Sequence, residues 1–196
     1  GWSKIALAVL VHLPARVVAA IGVIMIATHN ILDGVSPAAF GAWAPLWSIL
    51  HVPGVVLSTP RFTVFEAYPL IPWIGVTAAG YGLGQIFNWE QERRRAFLLR
   101  LGAGLIAAFV VLRALNVYGD PAPWSVQRSP VFTVLSFINT TKYPPSLLFL
   151  LMTLGPAMLL LRAVDRHTPR FLGPARIVGK VPMFYYVTHI TVAHTL

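Results

Sequence analysis

The chain has 196 residues, 57% of them hydrophobic and 11% charged. A soluble domain carries roughly 25% charged residues, so this balance excludes an ordinary soluble globule and points to an integral membrane protein. The formal charge is +9 and there is no cysteine, which excludes disulfides and thiolate chemistry. The basic residues sit at the ends of apolar stretches, where they report orientation; no nucleic-acid partner is expected.

Five apolar stretches follow along the chain. They cover about residues 5–28, 62–87, 97–118 and 144–161, and the last begins near residue 181. Each full stretch reaches or approaches the roughly 20 residues that a helix needs to cross a bilayer. The expected fold is all-α: a polytopic transmembrane helical bundle of about five spans with long, semi-apolar outer loops, residues 1–196 forming one transmembrane domain. The second stretch runs into Asn88-Trp-Glu-Gln-Glu-Arg-Arg-Arg. With loop 88–96 in the cytoplasm and the spans alternating, ten Lys and Arg fall on the cytoplasmic side, three outside, and Arg16 and Arg113 within spans. That bias sets the expected topology, with loop 88–96 on the cytoplasmic side. The chain opens on Gly1 and stops inside an apolar stretch. It reads as an internal piece of a larger protein whose further N-terminal helices are partners of these, with the lipid bilayer around them and a homo-oligomer as an option.

The outer links are unusual. Residues 29–61 are rich in Trp, Pro and Ala, as in Ala39-Phe-Gly-Ala-Trp-Ala-Pro-Leu-Trp. A solvated loop is more polar, so this one is expected to lie on the membrane surface or dip into the protein. The link 119–143 contains Asp120-Pro-Ala-Pro-Trp and leads to Pro144 and Pro145, which suit the first turn of the fourth helix. Gly80, Gly82 and Gly84 include a Gly-x-x-x-Gly pair suited to close helix packing. His12 and Arg16 share a face of the first span, where Arg16 either snorkels or pairs elsewhere.

Polar residues gather on the outer side. His29, Asn30 and Asp33 end the first span, Glu66 opens the second, and Lys142 and Tyr143 open the fourth. His189 and His194 lie in the fifth. Ionisable groups at membrane depth usually face a protein interior or a watery cavity, so one outward-opening polar chamber is the simplest arrangement. Each residue also has an ordinary structural reading. His29-Asn-Ile-Leu-Asp-Gly suits a helix end, Glu66 an ion pair with Arg61, and Lys142 with Tyr143 an interfacial anchor. Tyr185 and His189 share a helix face, and His189 can be a hydrogen-bonded bundle residue. No His-x-x-x-His or carboxylate-rich set occurs, so no metal is expected.

Several blocks carry a resemblance. Ala27-Thr-His-Asn-Ile-Leu-Asp-Gly, Tyr68-Pro-Leu-Ile-Pro-Trp-Ile-Gly-Val, Asn139-Thr-Thr-Lys-Tyr-Pro-Pro and Gly179-Lys-Val-Pro-Met-Phe-Tyr-Tyr-Val-Thr-His-Ile resemble bacterial members of the heparan-alpha-glucosaminide N-acetyltransferase family. The resemblance implies a membrane-embedded acyltransferase that moves acetyl from cytosolic acetyl-CoA, a co-substrate, to an amino-sugar or glycan acceptor on the periplasmic side. The family's Asp-His motif with its catalytic His is not found here, so the chain alone is expected to be inactive. His29 and His189 remain the candidate catalytic residues, and Asn30, Asp33, Glu66, Lys142 and Tyr143 the candidate substrate-binding ones. In that reading a neutral His is the base, Asn30, Lys142 or Tyr143 are oxyanion donors, and Arg93, Arg94, Arg95 and Arg176 attract the CoA phosphates. The arginines also read simply as the topology signal. A transporter or permease is the first rival, although no inverted repeat is visible. A non-catalytic membrane scaffold is the second. The acyltransferase predicts that His29, Asp33, Lys142 and His189 converge on one pocket; the scaffold predicts that they do not.

Overall fold

A computed structural model describes residues 2–166 and 172–195. Helix α1 (Trp2–Leu10) is separated from α2 (Ala15–Thr28) by a break that closes on Pro14. Proline lacks the N–H and clashes with the preceding turn, so the expected continuous span over 5–28 is split. Helix α1 packs beside a later helix, α4 (Leu70–Leu83), instead of prolonging α2. Helix α2 runs directly into a 3₁₀ turn, His29–Gly34.

The link beyond it is structured. A 3₁₀ turn (Pro37–Trp43) and helix α3 (Ala44–Leu50) precede a hairpin of β1 (Gly54–Ser58) and β2 (Thr63–Glu66). The strands pair antiparallel, Val55 opposite Phe65 and Ser58 opposite Thr63, with an irregularity between Val55 and Leu57. Thr63-Val-Phe therefore forms strand, not the start of the second span. β-Branched and aromatic residues on both sides of Pro60 favour this pairing.

Helix α4 tightens into a 3₁₀ turn, Gly84–Asn88. Then come α5 (Gln91–Leu115), α6 (Pro130–Ile138), α7 (Leu147–Val164), α8 (Gly173–Lys180) and α9 (Pro182–Thr195). Pro144 and Pro145 precede α7, whose N-cap is Ser146, so they do not occupy its first turn. The Ser146 hydroxyl accepts the Phe149 N–H, filling the cap instead.

Four segments are long and apolar enough to cross a membrane: Ala15–Gly34, Leu70–Asn88, Gln91–Leu115 and Leu147–Val164. The fifth expected span appears as α9, 14 residues long and exposed along its described side chains.

The spans pack as two pairs, α2 on α4 and α5 on α7. Small residues set both contacts. A Cβ on Gly22 would stand 2.3 Å from the Ala79 nitrogen, and one on Gly82 would stand 2.3 Å from Cβ of Ala19. Gly102 and Gly155 meet in the same way between α5 and α7. Gly80 and Gly84 face open space, so the expected Gly-x-x-x-Gly pair is not the packing pair. The packing spacing is seven: Gly75 also meets α2, through Met25 and Ile26, and lies two turns before Gly82. Two apolar clusters join the pairs at their ends. Phe109, Leu147, Leu148 and Leu151 pack with Ile26, while Ile86, Leu98 and Met158 pack with Trp89.

Candidate functional site

The end of the bundle where α2 stops and α7 begins holds a connected polar network. The 3₁₀ turn after α2 buries His29 and Asn30 side by side. His29 Nδ1 lies 3.0 Å from the Ile26 carbonyl, and Nε2 lies 3.0 Å from the Pro145 carbonyl. A neutral ring donates to one of these carbonyls, and its other nitrogen faces the second carbonyl oxygen. His29 thus ties the end of α2 to the turn before α7.

Asn30 links the same two elements to a carboxylate. Its Oδ1 accepts the Leu147 N–H at 2.8 Å, one of the free donors at the start of α7. Its Nδ2 donates to Asp33 Oδ2 at 2.7 Å. The other Asp33 oxygen, Oδ1, lies 3.1 Å from Nε2 of His51. His51 follows α3 and is fully buried, because the 29–61 link does dip into the protein. Its ring lies 6.1 Å from that of His29 and 5.3 Å from that of Trp47. Trp47 is fixed by stacking on Phe40 and by its Nε1–H to the Val35 carbonyl.

A bond to the ionised Asp33 carboxylate puts a proton on Nε2 of His51, and in the neutral ring Nδ1 is then the acceptor. Nδ1 of His51 is buried and has no hydrogen-bond partner. Nearly all buried polar atoms are paired, so this ring nitrogen is a conspicuous unused group, as is the Thr140 hydroxyl of the link before α7.

Beside it, Asp120 organises the turn before α7. It accepts from the Ala122 N–H, the Thr141 N–H and hydroxyl, and the Ser146 hydroxyl. The Leu148 N–H adds a bond to the Gly119 carbonyl. Arg113, buried at the end of α5, donates to the carbonyls of Ala122, Ser136, Phe137 and Asn139. Three of these belong to the last turn of α6 or follow it, where carbonyls favour a cation.

The remaining expected site residues lie elsewhere. The Glu66 carboxylate accepts the Tyr68 N–H and forms no ion pair with Arg61 among the described residues. Lys142 and Tyr143 are exposed, with the Lys142 ammonium 5.2 Å from the Tyr143 ring and that ring edge-on to Tyr68. The Tyr68 phenol and then Lys142 hold the Tyr143 hydroxyl below its ordinary pKa, and Tyr143 raises that of Tyr68. His189 stacks near Tyr185 on the exposed α9 and does not join the buried network. His29 and Asp33 lie together in this network, and Lys142 and His189 do not. His51 joins them through Asp33. Trp47 and His51, four apart behind Pro45, carried a faint signal of a short helix with one buried face.

At the opposite end, Arg94 forms a two-point bond to Asp165, at 2.9 and 3.1 Å, and donates to the Trp89 carbonyl. Arg95 donates to the Arg162 carbonyl at 2.7 Å. Arg93 lies over the Trp89 ring at 4.5 Å. Arg176 falls in α8, and its side chain lies outside the described residues.

Comparison with known proteins adds one finding. The family model for the catalytic region of heparan-alpha-glucosaminide N-acetyltransferase matches residues 1–119. No curated protein and no solved structure matches the chain. The matched segment carries His29, Asn30, Asp33, His51 and the arginine cluster, while Asp120, Lys142, Tyr143 and His189 lie beyond it. With more than half its length matched, and with four apolar helices of spanning length, this chain belongs to the heparan-alpha-glucosaminide N-acetyltransferase catalytic family, a family of membrane acetyltransferases.

Proposed function

We propose that the chain forms part of a membrane acetyltransferase that takes acetyl from acetyl-CoA on its arginine-rich face and delivers it to an amino-sugar acceptor on the face holding His29 and His51. The family match over residues 1–119 carries this reading. The excess of Lys and Arg around loop 88–96 supports a cytoplasmic donor side at the inner membrane. Arg93, stacked on Trp89 and without a hydrogen bond among the described residues, is the arginine of its cluster best free to meet a CoA phosphate.

The acceptor chemistry falls to the Asp33–His51 pair. With the CoA phosphates at the arginine-rich face and its pantetheine arm reaching the His51 end, the acceptor nitrogen attacks the thioester carbonyl, a C–N bond forms and the C–S bond breaks. The proton shed by the nitrogen goes to Nδ1 of His51 and then to the departing thiolate. Asp33 holds the ring with Nδ1 free and stabilises the imidazolium, and Asn30 holds Asp33. Trp47 lies tilted against the imidazole, with Phe40 stacked on Trp47, and the acceptor reaches Nδ1 when Trp47 moves aside. His29, set between the Ile26 and Pro145 carbonyls, positions the helices.

The test is acetyl transfer from acetyl-CoA to glucosamine by the full-length protein in detergent. His51→Gln is expected to lower kcat by about 100-fold or more, the usual contribution of a general base, with donor affinity unchanged. Asp33→Asn lowers kcat as well and shifts the pH profile, because the ring loses its fixed tautomer. Full activity in His51→Gln contradicts the assignment of the base.

A further inference from the structure

The two helix pairs enclose a cleft of about 1020 Å³ between them. Its inner wall is apolar, with Val23, Ile26, Leu105, Leu150, Leu154 and Met158. The polar lining gathers at one end, where Arg16, Gln85 and Asn88 meet Trp89. Arg16 is exposed and makes no hydrogen bond or ion pair among the described residues. Two carboxylates of this end, Glu92 and Asp165, are already held by Arg166 and Arg94.

From Arg16 to Ala27, which lines the far end, the cleft follows α2 for about 17 Å at the helical rise. A bilayer's hydrocarbon core is roughly 30 Å thick, so this depth matches one leaflet. A cationic, polar rim at headgroup level above a leaflet-deep apolar slot suits an anionic head carrying an acyl chain. We propose that the cleft is a binding site for an anionic phospholipid, its phosphate at Arg16 and its acyl chain between the helix pairs. A neutral lipid leaves Arg16 uncompensated, and a soluble phosphate leaves the slot unfilled. The site is separate from the His51 network.

Two variants probe it. Gly80 lines the cleft, and a Cβ there meets no atom within 4 Å. Gly80→Leu therefore fills the slot without disturbing the α2–α4 contact, and leucine is the better helix former. Arg16→Gln removes the cation. The full-length protein is placed in phosphatidylcholine nanodiscs with rising fractions of phosphatidylglycerol brominated on its acyl chains. Quenching of Trp89, taken as the difference from a Trp89→Phe variant, is the readout. The expected result is quenching that saturates at a low fraction of the brominated anionic lipid. Arg16→Gln raises the half-saturating fraction about fivefold, the usual effect of one basic residue on an anionic lipid. Gly80→Leu abolishes the saturable phase. Equal quenching by brominated phosphatidylcholine marks an unselective lipid-facing groove and overturns the proposal. Absence of quenching by either lipid means that another protein segment fills the cleft, and it overturns the proposal too.

Discussion

Arg113→Met lowers the melting temperature of the detergent-solubilised protein by roughly 10 °C. The guanidinium is buried, and its donors satisfy four backbone carbonyls from residues 122, 136, 137 and 139. Methionine fills similar space but donates nothing. A carbonyl left without a partner costs about 1–3 kcal/mol where water does not reach it, less at the exposed Ala122 and Asn139, and the loss is partly offset because a buried charge is removed as well. A net loss of about 3 kcal/mol corresponds to that shift for a chain of this size. Arg113→Lys recovers only part of it, since one ammonium cannot span carbonyls on the 119–143 link and at the end of α6 at once. An unchanged melting temperature in Arg113→Met contradicts the view that Arg113 fastens this link.

Gly22→Leu separates the α2–α4 pair. The new Cβ would stand 2.3 Å from the Ala79 nitrogen and 2.6 Å from the Gly75 oxygen, both backbone atoms that cannot swing aside. Overpacking of this kind costs about 3 kcal/mol or more, and the rest of the leucine side chain adds to it. Gly80→Leu, on the same helix pair but facing open space, keeps wild-type stability. Thermal unfolding of the two variants side by side checks the contrast. Equal losses contradict the packing described here.

The membrane character, the spans after the first and the polar end of the bundle were legible in the sequence because hydropathy and charge act over long windows. The glycine pair was legible in kind but not in position. Which glycines touch depends on the phase of one helix against another, and spacing within one helix does not carry that phase. The 5–28 stretch reads as one span because a single Pro14 weighs little against the apolar residues around it, yet its missing N–H splits the helix. The site was half legible. His29, Asn30 and Asp33 lie in one short run, so they arrive together. His51 comes to Asp33 only after the 29–61 link has folded back, and no local pattern announces that. Asp120 reads as a turn residue before Pro121, and its bonds to Thr141 and Ser146 span more than twenty residues. Lys142 and Tyr143 are near the site in sequence but point outward, since Pro145 supplies a carbonyl to His29 and Ser146 caps α7.

The most direct measurement of the account places the full-length protein in sealed vesicles, with acetyl-CoA on the face of loop 88–96 and glucosamine on the other. The account predicts acetylated amino sugar on the acceptor face, and none when donor and acceptor are exchanged between the two faces. Movement of unmodified glucosamine across the membrane, with no acetyl transfer by a well-folded protein, contradicts it and supports a permease.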